Sequence, residues 1–145
     1  MSAAGDAQRL FEQARERHAA RDFGASTTFA REALALDPDC MDALELLSNA
    51  LITRQRNYAE GLALVDRMTA LNPDDAATQY TAGWLYEFAA HEIKRRRPDG
   101  VDLVPRHLYE GAADAFRRCL ALNPDGKLQG DAEDLLDHVE NELRQ

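Results

Sequence analysis

The amino-acid sequence predicts an all-α chain in which antiparallel helix pairs stack into one array, about seven helices in 145 residues. Two observations predict it. The first is a phrase written three times: ALALDPDC at 33–40, MTALNPDDA at 68–76 and CLALNPDGK at 119–127. Counting back from Pro38, Pro73 and Pro124, the same chemistry recurs in register. Two residues before stand Leu36, Leu71 and Leu122, and five before stand Ala33, Met68 and Cys119. Twelve before are the small residues Ser26, Gly61 and Ala112; fifteen before are the aromatics Phe23, Tyr58 and Tyr109. The second observation is that each phrase closes an amphipathic stretch. FGASTTFAREALAL, YAEGLALVDRMTAL and LYEGAADAFRRCLAL carry apolar residues at spacings of three and four, the period of one helix face, and the proline that follows cannot extend the helix.

Upstream of each stretch lies a partner run, at roughly 6–20, 40–54 and 75–97, and each holds a small residue, Ala14, Ser48 or Gly83, where two helices can approach closely. A helix pair is therefore the repeating unit. The prolines are 35 and then 51 residues apart, which is one period of about 34 followed by one with roughly 17 extra residues. Beyond the last proline, GDAEDLLDHVENELRQ sets Ala132, Leu135, Leu136, Val139 and Leu143 on one stripe. That is the pattern of a closing helix with a polar outer face.

With AGWLYEF and YEGAADAFRRCLALNP in its third copy, the chain resembles the tetratricopeptide repeat family. The resemblance implies helix-turn-helix units stacked in a right-handed superhelix as a single domain over 1–145. Repeat 1 would span about 7–39, repeat 2 about 40–74, and repeat 3 about 75–125 with an insertion near 91–107; a capping helix would follow at about 130–144. The first copy departs from the pattern at Gln13 and Arg17, where large apolar or aromatic residues are usual.

In that family the first helices of successive pairs line a groove that holds a peptide or a partner helix. By register the resemblance points to Phe11, Arg15 and His18, then Glu45, Leu46, Asn49 and Ile52, then Tyr80, Thr81, Trp84 and Phe88. The third set is unusual, because Tyr80, Trp84 and Phe88 share one face while Ala82, Tyr86, Ala89 and Ile93 mark another. A helix apolar on two sides needs two covers. The aromatic stripe is either packing against neighbouring helices and the cap or a surface for a partner. Family members that hold carboxylate-terminated chaperone tails use paired lysine, arginine and asparagine. The matching positions here are Phe11 and Arg15, Leu46, and Ala77 and Thr81, so tail-carboxylate binding is not expected.

The insertion HEIKRRRPDGVDLVPRH lies between the two helices of the third pair. Helix can continue through HEIKRRR until Pro98-Asp99-Gly100 supplies a turn, and Pro105 suits the start of the next helix. It carries five cations against three carboxylates in a chain whose net charge is −9. Lys94, Arg95, Arg96 and Arg97 are either solvated cations complementing the end of a helix or a secondary basic site for an acidic partner or phosphate.

An isoelectric point near 4.8 disfavours nucleic acid and anionic membrane surfaces, whose affinity comes from cationic footprints. No run approaches the roughly 20 apolar residues that span a bilayer. Cys40 and Cys119 have no Cys-x-x-Cys spacing and read as reduced thiols, which with the absence of a signal-like start suggests the cytoplasm. Lys94 and Lys127 are the only lysines beside many arginines, a hint of a GC-rich, bacterial genome. His91-Glu92 lacks the histidine at 95 that a zinc-hydrolase helix requires, and no phosphate loop or nucleophile elbow is present. No catalytic residue, metal or cofactor is expected. The functional expectation is a non-catalytic adaptor that binds a peptide or helix of a partner protein. The alternatives are a small secretion- or assembly-type chaperone, an accessory subunit of an enzyme complex, and self-association into a homo-oligomer.

Overall fold

The computed structural model describes residues 2–145. Seven α-helices follow one another: α1 (Ala3–Ala19), α2 (Phe23–Leu36), α3 (Met41–Thr53), α4 (Tyr58–Leu71), α5 (Ala76–Arg96), α6 (Pro105–Ala121) and α7 (Gly126–Leu143). No strand occurs among the described residues.

Local chemistry sets the helix ends. Ser2 accepts a hydrogen bond from Gly5 N at 3.0 Å, Asp22 from Ala25 N at 3.3 Å and Asp75 from Thr78 N at 3.1 Å, so α1, α2 and α5 begin on side-chain caps. Pro105 occupies the first turn of α6, where its missing N–H costs nothing. Arginine follows three helices in the left-handed region that glycine normally fills, with φ of 64° at Arg21, 57° at Arg56 and 46° at Arg97. Each such residue costs about 1 kcal/mol. As expected, helix continues into the basic segment, ending at Arg96; α7 starts at Gly126, ahead of the expected 130.

The chain divides into two compact units, one ending at Leu71 and the other Asn72–Gln145. In the first, α1 packs on α2, α2 on α3 and α3 on α4. Ala7, Ala33, Cys40 and Ala43 form one buried cluster, with Leu10, Phe11 and Leu34 against it. Ala14, Ala30, Leu47 and Leu51 form another, flanked by Phe29, Leu46 and Leu64. Burying a leucine such as Leu47 or Leu51 contributes about 1.5–3 kcal/mol. The small positions carry the close approaches. Ser26 Oγ donates to the Ala14 carbonyl at 2.8 Å, and a Cβ added at Gly61 would sit 2.5 Å from Ile52 Cγ1.

In the second unit α5 packs on α6, α6 on α7, and α7 also touches α5. Gly83 lies under the Phe116 ring, where an added Cβ would be 2.6 Å from Cε1. Phe116 and Cys119 are fully buried. Arg118 Nε donates to Gln79 Oε1 at 3.1 Å, and Gln79 Nε2 donates to the Pro73 carbonyl at 3.0 Å, which ties the NPD turn to α5 and α6. Ala132 and Val139 are the buried residues of α7.

The repeat register partly matches burial. Ser26, Gly61 and Ala112 are buried, as are Ala14, Ser48 and Gly83. Leu36 and Leu71, two residues before their prolines, are 45% and 41% exposed. They occupy the final turn of their helices, past the last buried position.

Candidate functional site

In the first unit α1 and α3 border an open cleft of about 260 Å³. Phe11 and His18, seven apart on α1, form one wall; Asp42, Glu45, Leu46 and Asn49, at helical spacings on α3, form the other. The opposite sides of the same helices are spent on the core, through Ala7 and Ala14 of α1 and Leu44, Leu47 and Leu51 of α3. Phe11 and Leu46 are half-buried, so each offers apolar surface to the cleft while packing against the core.

The polar lining is largely carboxylate and amide. Gln8 Nε2 donates to Asp42 Oδ2 at 3.3 Å and to Glu12 Oε1 at 3.4 Å, linking the two helices at one end of the cleft. Asn49 Oδ1 accepts from Thr53 Oγ1 at 3.2 Å, which orients the amide. His18 meets the edge of Phe23 with ring centroids 5.3 Å apart. The cleft thus pairs two apolar side chains with the carboxylates of Asp42 and Glu45.

Among the other expected groove residues, Arg15 is exposed and pairs with Glu12. Ile52 is a correction: it is fully buried, fitted against the space left by Gly61, and belongs to the core. The sequence could not separate the two roles, because α3 carries leucine or isoleucine at 44, 46, 47, 51 and 52, nearly all round the helix. Asp42 was missed, although it lies one turn before Leu46 in the same stripe.

In the second unit Tyr80, Thr81, Trp84 and Phe88 are all half-buried. Tyr80 lies against Phe116 with centroids 6.0 Å apart, and Trp84 meets Phe88 edge-on at 6.5 Å. Burial pushes the Tyr80 phenol up, reinforced by Asp131 of α7 and opposed by Lys127. Glu87 of α5 faces His138 of α7, with Nε2 to Oε1 3.5 Å. Burial raises the Glu87 carboxyl above its usual range, against the lowering pull of His138 and His91. The expected basic cluster is in part internally paired. Lys94 Nζ is 3.0 Å from Glu142, and Arg95 and Arg96 each reach Glu92 at 2.9 Å. Arg97 ends α5.

Neither a protein-family model nor a curated protein matches the sequence. Among solved structures, the first TPR of Spaghetti (RPAP3) bound to the HSP90 peptide SRMEEVD superposes with a TM-score of 0.73 at 16% identity, covering 98% of this chain and 96% of that one. The chain has a tetratricopeptide-repeat fold. In that fold α1, α3 and α5 are the first helices of the three pairs, and α2, α4 and α6 are the second helices. The cleft is lined by residues of α1 and α3, the first helices of the first two pairs. Among the described residues no three His, Cys, Asp or Glu side chains converge as a metal site needs, and no helix is long and apolar enough to cross a membrane.

Proposed function

We propose that this protein is a non-catalytic interaction module whose α1–α3 cleft binds a peptide segment pairing an apolar side chain with an arginine or lysine. The lining carries the proposal: Phe11 and Leu46 offer apolar contact, while Asp42 and Glu45 supply charge for a cation. The solved neighbour holds the HSP90 peptide SRMEEVD. Two carboxylates in the cleft and a net charge of −9 favour the opposite sign of ligand here. The chain is read as three repeats and a closing helix, supported by a superposition that spans nearly the whole chain. Tyr80, Thr81, Trp84 and Phe88 are read as a further contact face on α5. Two free, buried cysteines fit the cytoplasm as the compartment.

Selection of displayed random peptides on the full chain tests this reading, with Asp42→Asn/Glu45→Gln selected in parallel. The wild type should enrich segments with Lys or Arg beside Leu or Phe, and the variant should lose the cation while keeping the apolar residue. Enrichment of acidic segments would overturn the charge assignment; enrichment of nothing above background would overturn peptide binding itself.

A further inference from the structure

Two turns meet at one end of the first unit. Arg21 stands in the α1–α2 turn and Phe23 opens α2, while Arg54 and Arg56 stand in the α3–α4 turn. The turns touch where Arg54 covers Phe23 and where Gln55 Nε2 donates to Thr27 Oγ1 at 3.4 Å. The half-buried Phe23 ring carries two guanidinium groups, with Arg54 Cζ 3.7 Å and Arg21 Cζ 5.8 Å from its centroid, so the two carbons are no more than 9.5 Å apart. At 3.7 Å the Arg54 guanidinium is stacked on the ring, which fixes its plane and leaves the N–H donors around its rim available.

Among the described residues no carboxylate pairs with Arg21, Arg54 or Arg56, in contrast to Lys94, Arg95 and Arg96, which Glu142 and Glu92 hold. The carboxylates nearest in sequence are already engaged. Asp22 caps Ala25 N at 3.3 Å and lies 3.9 Å from Arg17, and Glu60 is held by Arg31. In a chain with a net charge of −9, this corner reverses the sign. Arg21 and Arg56 also sit at φ 64° and 57°, a conformation that glycine adopts freely and an arginine holds at a cost of about 1 kcal/mol. Two adjoining turns that keep a cationic side chain at that cost point to a use outside the fold.

We propose that this corner binds the phosphate of a phosphorylated serine or threonine on a partner polypeptide, held between Arg21 and Arg54. Two guanidinium forks offer more donors than the two oxygens of one carboxylate can use. A phosphate monoester brings three acceptor oxygens and close to two negative charges. Arg56, two residues beyond Arg54, adds positive potential. All three arginines are exposed, so a side chain projecting from a polypeptide reaches them, and its flanking residues add contacts that a free phosphate lacks. The acidic remainder of the chain opposes a long polyanion such as nucleic acid. His18 alone touches both this corner and the α1–α3 cleft, so either site can fail without the other.

The test is titration of the ¹⁵N-labelled full chain with a short glycine–alanine peptide carrying one phosphoserine, with the same peptide bearing serine or aspartate instead, and with inorganic phosphate. Saturable shifts at residues 20–24 and 54–57 are expected, with the aspartate peptide and inorganic phosphate each about tenfold weaker and the serine peptide silent. Arg21→Gly should keep or raise the thermal midpoint, because glycine accepts the left-handed φ, yet bind the phosphopeptide about tenfold more weakly. Arg54→Gln should weaken it to a similar degree, and Asp42→Asn/Glu45→Gln, which disables the cleft, should not weaken it. Equal binding of the phosphoserine and serine peptides, shifts at 94–97 in place of the two turns, inorganic phosphate binding as tightly as the phosphopeptide, or full affinity in Arg21→Gly and Arg54→Gln would each overturn the proposal.

Discussion

Glu87 is a half-buried carboxylate beside His138, and burial wins: its pKa is raised in the folded chain. The folded state then holds the proton more tightly than the unfolded one. Stability from this group is present at low pH and is lost as pH rises from the unfolded value of 4.5 through the folded one. Glu87→Gln should therefore raise the urea midpoint at pH 7 and leave it unchanged near pH 4, as read by circular dichroism across pH. Glu60, Glu92 and Glu142 behave oppositely. Hydrogen bonds from Arg31, from Arg96 and Arg95, and from Lys94 lower their pKa values, so their contribution is present above 4.5 and is lost as pH falls below it. At this scale the sequence was only partly legible. Phe11, Leu46 and Asn49 were placed on the cleft by register alone. Ile52 was misplaced because its helix is apolar on nearly every side, and the pairing of Lys94 depends on Glu142, which no local pattern selects, whereas Glu92 lies three and four residues before Arg95 and Arg96.

Helices were far more legible, because proline, small residues and a 3.6-residue period leave local signatures. Gly83, read as a close approach, lies under Phe116, and Gly61, one of the recurring small residues, lies under Ile52. Gly83→Ala should destabilise by about 1–3 kcal/mol, since the buried ring has nowhere to move. Gly130→Ala, in α7 with nothing within 4 Å, should instead stabilise by about 0.5–1 kcal/mol through helix propensity. Both can be read in one set of chemical denaturation curves. Arg56 sits at φ 57°, so Arg56→Gly should gain up to about 1 kcal/mol by relieving left-handed backbone strain. Burial at the ends of the phrases was not legible: Leu36 and Leu71 continue the apolar pattern into a last turn that is only partly covered.

For the whole molecule, three phrases in register implied a helical array, and the seven-helix tetratricopeptide-repeat fold follows. Ligand chemistry is not written in the repeat, because the residues that fix the fold are the small and core positions, whereas the cleft uses the positions left between them. The cleft's carboxylates and the chain's charge of −9 predict that a cationic peptide binds more weakly as salt rises, with the loss concentrated below about 0.15 M, where exposed charges are least screened. Calorimetric titration over a salt series reads this directly. The central claim is the cleft itself and the sign of its ligand. The most direct measurement is a ¹⁵N amide titration of the full chain with a short synthetic peptide of leucine, phenylalanine and arginine, beside the acidic SRMEEVD. Shifts concentrated at Phe11, His18 and residues 42–49, abolished by Asp42→Asn/Glu45→Gln and stronger than those from SRMEEVD, are the predicted result. Tighter binding of SRMEEVD, or shifts away from α1 and α3, would contradict it.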